Sequence, residues 1–209
     1  MKPAILPMFF SILVAGVLAR PMNASVFELG AAVTDFGVQD LEGATLSYST
    51  FKGNVTVLAF ISTRCPMSNA FNFRMNELYK EFEGRVRFVV INSNVDEPAE
   101  EVRRHAERMG YDFPVYKDAD SVVADLFGAK ATPDTFVLDQ KGIVRYHGFI
   151  EDAANPERTK NHALRLAIEA VLQNKDVPTP ETHSIGCAIR RTRPLNRLAG
   201  FPDAHGLNK

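Results

Sequence analysis

The sequence predicts an α/β fold in which a central, largely parallel sheet is covered by helices on both faces. Two observations support this prediction. Apolar runs typical of strands alternate along the chain with segments whose apolar residues recur at helical spacing. The runs at 55–62 and 86–91 are almost uninterrupted, as expected for parallel strands buried on both faces. A tight turn at 140–142 joins two later strands as a hairpin, so the sheet is expected to be mixed.

The individual elements follow from apolar spacing and from residues that mark element ends. Strands are assigned where apolar and polar residues alternate, or where a short apolar run lies between turn residues. Helices are assigned where apolar residues recur every three or four positions, with proline in the first turn or glycine after the end. The predicted order is a hairpin (36–48), one helical turn (49–53), a strand (55–62), a helix (68–83), a strand (86–91), a helix (98–109), a strand (113–116), a short helix (121–127), a strand (132–139), its antiparallel partner (143–150) and a final helix (155–172).

Length and composition favour one domain with extensions. The chain has 209 residues, of which 45% are hydrophobic and 23% are charged, so it can bury a substantial core. We divide it into a signal peptide and lead-in (1–24), an α/β domain (25–175) and an extended C-terminal tail (176–209) that carries Cys187. The net charge is -1, and the arginine-rich run at 190–193 is short and is expected to be solvated. Nucleic acid is therefore not an expected partner.

The N-terminus has the features of a secretory signal. Lys2 precedes an uncharged apolar stretch, 4–19, which is shorter than a typical membrane span. Small residues place the cleavage site near Ala19 or near Ala24, and an uncleaved N-terminal anchor is the alternative. In both cases the domain is expected in an exported compartment, periplasmic or extracellular, where disulfide bonds persist. After cleavage no stable membrane span is expected.

Cys65 stands where the first central strand passes into a helix. As the N-cap residue it would precede Pro66, which suits the first helical position because it has no N–H to leave unpaired. The thiol would then face the free N–H groups and the positive end of the helix dipole, with the cation of Arg64 nearby. Both effects favour the thiolate, which is the nucleophilic form of cysteine. A structural cysteine that lies in a loop is the alternative.

Three blocks of sequence, 55–68, 131–139 and 142–148, resemble the thioredoxin-like superfamily, in particular its redoxin and peroxiredoxin-like (AhpC/TSA-related) group. They occur in the order and at the separations of that group. The resemblance implies a thioredoxin-like three-layer α/β/α sandwich with an N-terminal β-hairpin and thiol-disulfide oxidoreductase activity. It also implies that Pro133 is a cis-proline facing the redox cysteine, and that the backbone of Thr132 pairs with an incoming peptide or disulfide.

The redox motif departs from both parent families. Thioredoxins carry two cysteines here, whereas this chain has Cys65-Pro-Met-Ser68, so only the first, attacking cysteine is retained. Ser68 cannot resolve a mixed disulfide, although its hydroxyl can donate a hydrogen bond to the thiolate; ordinary first-turn polarity is the alternative. Peroxiredoxins place the reactive cysteine at the Ser68 position and an arginine near Pro133, and neither is present. The buried acid of thioredoxins would align with Ala59 and is also missing.

Cys187, in the C-terminal tail, is the candidate resolving thiol. An extended chain covers roughly 3.3 Å per residue, so the segment from Gln173 to Cys187 can span roughly 46 Å and reach Cys65. The adjacent Gly186 would allow close backbone approach. A Cys65–Cys187 disulfide is the preferred pairing. A Cys187 that is buried and unpaired, or that pairs between two chains, is the alternative.

The sequence therefore predicts an exported thiol-disulfide oxidoreductase that acts on protein or small-molecule thiols and disulfides. The expected catalytic residues are Cys65, Cys187 and Ser68, and the expected substrate-binding residues are Arg64, Pro66, Thr132 and Pro133. A thiol peroxidase that uses Cys65 in an unusual register is one alternative, and a non-catalytic scaffold with a structural disulfide is another. The histidines lack the spacing of a metal pair, so neither a metal nor another cofactor is expected.

Overall fold

The computed structural model describes residues 27–192. The predicted signal peptide and the last part of the predicted tail lie outside this range. Within it the chain forms a seven-stranded mixed sheet between helices, together with a separate two-stranded ribbon. None of the helices in this part of the chain has the length and apolar character that a bilayer span requires. The predicted α/β class is confirmed.

Nine strands and five α-helices are formed between residues 27 and 192. The strands are β1 (Gly37–Gln39), β2 (Thr45–Ser47), β3 (Val55–Ile61), β4 (Val86–Asn92), β5 (Val115–Lys117), β6 (Ala131–Thr132), β7 (Asp134–Leu138), β8 (Val144–Gly148) and β9 (Cys187–Ala188). The helices are α1 (Pro66–Asn69), α2 (Asn72–Glu81), α3 (Ala99–Met109), α4 (Val122–Leu126) and α5 (Ala163–Leu172), with 3-10 turns at Tyr48–Phe51 and Pro156–Arg158.

The main sheet has the strand order β2-β1-β5-β4-β3-β7-β8. Strands β3, β4 and β5 are parallel, whereas β7 runs antiparallel to β3 and pairs with β8 as a hairpin. The predicted N-terminal hairpin, β1–β2, extends the opposite side of the sheet through β5. Because β3 and β4 are parallel neighbours, the loops that follow them meet at the same end of the sheet.

Two hydrophobic clusters fill the space on either side of this sheet. Along β3, Val57 and Ala59 belong to the cluster beneath α2 and α5, whereas Leu58 and Phe60 belong to the cluster beneath α4. Every residue of β3 is buried. Coverage on both faces is the physical reason for its almost uninterrupted apolar run.

Two predicted helices are each divided in the structure. The helix predicted over 68–83 is broken at Phe71, whose N–H bonds to the Ser68 carbonyl three residues back, while the Ala70 carbonyl accepts from the Arg74 guanidinium. The start of the final helix was predicted wrongly. Asn155 caps only a 3-10 turn, and α5 begins several residues later at Ala163.

The part of the C-terminal tail that the structure describes, 176–192, contains no helix, but it is not featureless. Its strand β9 pairs antiparallel with β6, so that Thr132 lies opposite Cys187. We call residues 180–191 the C-terminal clasp. Its two ends are held by main-chain bonds, from the His147 N–H to the Pro180 carbonyl at 3.0 Å and from the Val95 N–H to the Arg190 carbonyl at 3.0 Å. The local sequence has little strand signal because the pairing partner lies far away along the chain.

Candidate active site

Cys65 occupies the N-cap of α1, and Pro66 takes the first helical position, as predicted. The Cys65 Sγ accepts a hydrogen bond from the Ser68 N–H at 3.4 Å. This N–H is one of those that a helix start leaves without an intrahelical partner. The turn from β3 into α1 therefore directs a free backbone donor at the sulfur.

A buried carboxylate holds the loop that presents Cys65. Glu97 is 2% exposed and accepts hydrogen bonds from the Ser62 hydroxyl at 2.5 Å and the Thr63 N–H at 2.7 Å. The Ser62 hydroxyl oxygen in turn accepts from the Cys65 N–H at 3.1 Å. A further bond reaches Glu97 from the Asn92 amide at 2.6 Å. Glu97 thus fixes the backbone on the N-terminal side of the cysteine.

A buried lysine belongs to the same polar group. The Lys117 ammonium donates to the Asn92 side-chain oxygen at 2.6 Å and to the Asn94 carbonyl at 2.6 Å. Burial lowers the pKa of Lys117, and the nearby negative charge of Glu97 opposes that effect. Asn92 bridges the two opposite charges beneath the loop, since its amide donates to Glu97 and its oxygen accepts from Lys117.

The peptide bond between Thr132 and Pro133 is cis, as expected from the resemblance. The Cys65 thiol donates to the Thr132 carbonyl at 3.2 Å. The redox motif and the proline-led strand are therefore in direct contact, although they are far apart in the chain.

The clasp brings the second cysteine to the same point. The Cys187 N–H donates to the Cys65 Sγ at 3.4 Å, and the Thr132 hydroxyl donates to the Cys187 carbonyl at 3.4 Å. Both cysteines are free thiols, so the predicted disulfide is not formed here. Cys65 is 1% exposed, whereas Cys187 is open to solvent. Cys65 belongs to neither hydrophobic cluster and is buried against polar main chain and the clasp.

The ionisation of the two thiols is linked. Burial raises the pKa of Cys65, but hydrogen bonds from the Cys187 thiol and from the N–H groups of Ser68 and Cys187 outweigh burial. The pKa of Cys65 consequently lies below the usual cysteine value. The hydrogen bond to Cys65, with burial and the charge on Cys65 adding to it, raises the pKa of Cys187 to about 11.

Two residues predicted near the sulfur have other contacts. The Ser68 hydroxyl accepts from the Ser62 N–H at 3.1 Å, and the Ser68 group that donates to Cys65 is its backbone N–H. Arg64 was expected to favour the thiolate through its charge. Its guanidinium instead pairs with Glu101 at 2.6 Å and with Asp96 at 3.2 Å, and these carboxylates neutralise its positive charge.

Sequence reasoning missed three residues that shape the site. Glu97 follows the end of β4, and the rule that neighbouring parallel strands end together could have placed it beside the Cys65 loop. Ile189 and Arg191 carried no usable signal. The arginine-rich run was expected to be solvated, yet the Arg191 guanidinium donates to Asp125 at 2.7 Å and to the Ala129 carbonyl at 2.5 Å.

Comparison with known proteins agrees with this geometry. Residues 29–147 match the AhpC/TSA family. The chain is 31% identical over 127 residues to the thiol-disulfide oxidoreductase ResA of Halalkalibacterium halodurans. The aligned residues cover 60% of this chain and 71% of that relative. A hypothetical protein from Sinorhizobium meliloti has a crystal structure with a TM-score of 0.72 and 35% identity, covering 80% of this chain and 96% of that one.

A second crystal structure, of an uncharacterized conserved protein from Geobacillus kaustophilus, has a TM-score of 0.73 and 28% identity. It covers 81% of this chain and 95% of the other. The family match spans more than half of the chain and includes both the redox motif and the cis-proline strand. This chain belongs to the AhpC/TSA family, within the thioredoxin-like superfamily.

Proposed function

We propose that the protein is an exported thiol-disulfide oxidoreductase in which Cys65 is the nucleophile and Cys187 the resolving thiol. The observation that carries the proposal is the meeting of both cysteines at Thr132. The Cys65 sulfur lies 3.2 Å from the Thr132 carbonyl and 3.4 Å from the Cys187 N–H. The 31% identity to a relative named a thiol-disulfide oxidoreductase supports the same chemistry.

In the first step the Cys65 thiolate attacks one sulfur of a partner disulfide. A new S–S bond forms between Cys65 and the partner, and the partner's other sulfur leaves as a thiolate that takes up a proton from water. The N–H groups that lower the pKa of Cys65 favour the ionised form of the attacking sulfur. Pro66 and Arg64 flank the sulfur, and we assign them to contact with the partner.

In the second step Cys187 resolves the mixed disulfide. The pKa of Cys187 is raised because its proton is held by the Cys65 sulfur and because the charge of that sulfur opposes a second negative charge. Both causes disappear once Cys65 is bonded to the partner, so Cys187 ionises more easily. Its thiolate attacks the Cys65 sulfur, a Cys65–Cys187 disulfide forms, and the partner departs as a thiol. Two electrons have then passed from the protein to the partner.

The remaining assignments follow from the same scheme. Thr132 and Pro133 orient the partner, and Ser68 acts through its backbone N–H. Residues 25–175 form the catalytic domain, and 176–209 supply the resolving thiol. The N-terminal 1–24, with the features of a secretory signal, would direct the protein to the periplasm or outside the cell.

The test is disulfide exchange with a model dithiol and a model disulfide. Cys65→Ser should abolish turnover, whereas Cys187→Ser should stop after one step and accumulate a mixed disulfide on Cys65, detected by mass spectrometry without reduction. Undiminished turnover in Cys65→Ser would exclude the proposal. Rapid reaction of Cys65 with peroxide, well above the rate of free cysteine, would favour a peroxidase instead.

A further inference from the structure

The clasp lies where a partner strand would have to bind. Its residue Cys187 is in register with Thr132, and Ala188 is in register with Ala131. The Ile189 N–H continues the pairing to the Lys130 carbonyl at 3.0 Å. With the clasp in place, Cys65 is 1% exposed. The edge of β6 is therefore occupied by the chain's own tail.

We propose that the clasp is a displaceable internal ligand of this edge, and that it also displays the kind of partner strand that the edge accepts. That partner is an extended segment with glycine directly before its cysteine and a branched apolar residue two positions after it. The proposal rests on the proposed function and deepens it, because it names the substrate class and the step that admits it.

The glycine requirement follows from a close approach of two backbones. A Cβ built on Gly186 would lie 1.9 Å from the Thr132 carbonyl oxygen and 2.7 Å from the carbonyl carbon. No side chain can occupy that position unless the strand moves away from β6. A strand that moves away also carries its cysteine away from the Cys65 sulfur.

Two side chains hold the end of the clasp after the cysteine. Ile189 is 6% exposed and belongs to the hydrophobic cluster beneath α4. The Arg191 side chain is 8% exposed and reaches Asp125 and the Ala129 carbonyl. Between them, the Arg190 side chain is 75% exposed. The alternation of buried and exposed side chains is that of a strand with one face on the protein.

Occupation of one edge by two strands makes their binding mutually exclusive. A partner strand can pair with β6 only after the clasp has left, and Cys187 can reach the mixed disulfide only when the clasp returns. Re-docking of the clasp therefore forms the Cys65–Cys187 bond and removes the reduced partner in one movement. Resolution and product release are coupled by the same set of backbone hydrogen bonds.

Displacement is tested by the accessibility of Cys65 in a Cys187→Ser chain, where Cys65 is the remaining thiol. The rate of alkylation by iodoacetamide is measured against pH, and the plateau at high pH reports access of the reagent to the thiolate. Ile189→Ala and Arg191→Ala should each raise this plateau by about tenfold or more, because a locally open state becomes more populated. Arg190→Ala, a change at an exposed neighbour, is the matched control and should leave it unchanged.

Thermal unfolding of each variant checks that the domain itself remains folded. Arg191→Lys is a milder change at the same position, and its alkylation plateau should lie between those of the Cys187→Ser parent and Arg191→Ala. Equal plateaus in the Cys187→Ser parent and in all four variants would overturn displacement. This readout contains no disulfide substrate, so it is independent of whether the protein turns over. Loss of turnover with the expected alkylation pattern would instead count against the proposed function alone.

The partner class is tested with two peptides on the Cys187→Ser, Arg191→Ala chain. One has the sequence of 184–191, and the other carries alanine in place of its glycine; the cysteine of each is blocked as a disulfide with thionitrobenzoate. Attack by Cys65 on the peptide sulfur releases coloured thionitrobenzoate and leaves the peptide bonded to Cys65. The glycine peptide should react about tenfold faster, because only it can pair closely with β6. Equal rates would overturn the glycine requirement.

Discussion

The sulfur of Cys65 is surrounded by main-chain groups from three separate parts of the chain. The N–H of Ser68 comes from α1, the carbonyl of Thr132 from β6 and the N–H of Cys187 from β9. A backbone donor keeps its place as long as its element is docked, so the reactivity of the sulfur depends on how these three elements are held.

Comparison of Cys187→Ala with Cys187→Ser tests the contribution of the second thiol. Each variant leaves Cys65 as the remaining thiol and keeps the N–H of residue 187, but only serine retains a side-chain donor. We expect a higher pKa of Cys65 in Cys187→Ala, because a hydrogen bond that lowers it is lost. Reactivity disappears as the pH falls through this pKa, so the loss should occur at a higher pH in Cys187→Ala. The thiolate absorbance, titrated against pH, measures the difference.

Ser68→Ala is the complementary control in the Cys187→Ser background. It preserves the N–H that donates to Cys65 and removes the hydroxyl, so the pKa of Cys65 should stay where it was. If Ser68→Ala raised the pKa of Cys65 as much as Cys187→Ala does, the Ser68 hydroxyl would be the group that stabilises the thiolate, as the sequence had suggested.

Glu97→Gln should destabilise the protein strongly. The carboxylate accepts hydrogen bonds from the Ser62 hydroxyl, the Thr63 N–H and the Asn92 amide. A glutamine would replace one accepting oxygen by an NH2 group, which cannot accept from these donors. We expect a loss of about 2–4 kcal/mol in the free energy of unfolding, measured by urea denaturation. Glu101→Gln, at a more exposed ion pair with Arg64, should cost less than about 1 kcal/mol.

At the scale of the elements, the break between α1 and α2 coincides with a buried ion pair. Arg74, in the first turns of α2, pairs with Glu151 and donates to the carbonyls of Ala70 at 2.9 Å and Ala154 at 2.6 Å. Its guanidinium thereby ties the end of α1 to the loop that follows β8. Helical periodicity continues across the break, which is why the sequence indicated one helix.

Arg74→Met retains much of the side chain's volume and removes its charge and donors. Glu151 and three backbone carbonyls would lose a partner in a largely buried position, so we expect a loss of about 3–5 kcal/mol in unfolding free energy. Urea denaturation measures this loss in unfolding free energy. Arg165→Met, at the more exposed pair with Glu81, is the control and should cost less than about 1 kcal/mol. Similar losses in both variants would mean that burial of the Arg74 pair is unimportant.

At the scale of the whole molecule, the clasp connects the C-terminal end of the described chain to β6 and to the loop after β4, around the site. A Cys65–Cys187 bond would close a loop of more than a hundred residues, and loops of that length are expected to stabilise by up to about 4.7 kcal/mol. The oxidised protein should therefore unfold at a higher urea concentration than the reduced one. Cys187→Ser should show no such dependence on redox state, and an oxidised protein no more stable than the reduced one would argue against this pairing.

The sequence alone determined the class of fold, the succession of the main strands along the chain and the placement of Cys65 at the head of a helix. These features depend on local periodicity and on residues adjacent in the chain, such as Pro66 after Cys65. They needed no knowledge of distant contacts.

Only the tertiary structure decided what surrounds the sulfur. Glu97 reaches the Cys65 loop from the loop that follows β4, Arg64 pairs with other carboxylates, and the clasp pairs with β6 across the site. Each is a contact between segments far apart in sequence, and neither propensity nor spacing specifies which distant backbone edge a short strand will join. The physical reason is that a strand of two residues is stabilised by its partner and by its buried anchors, not by its own composition.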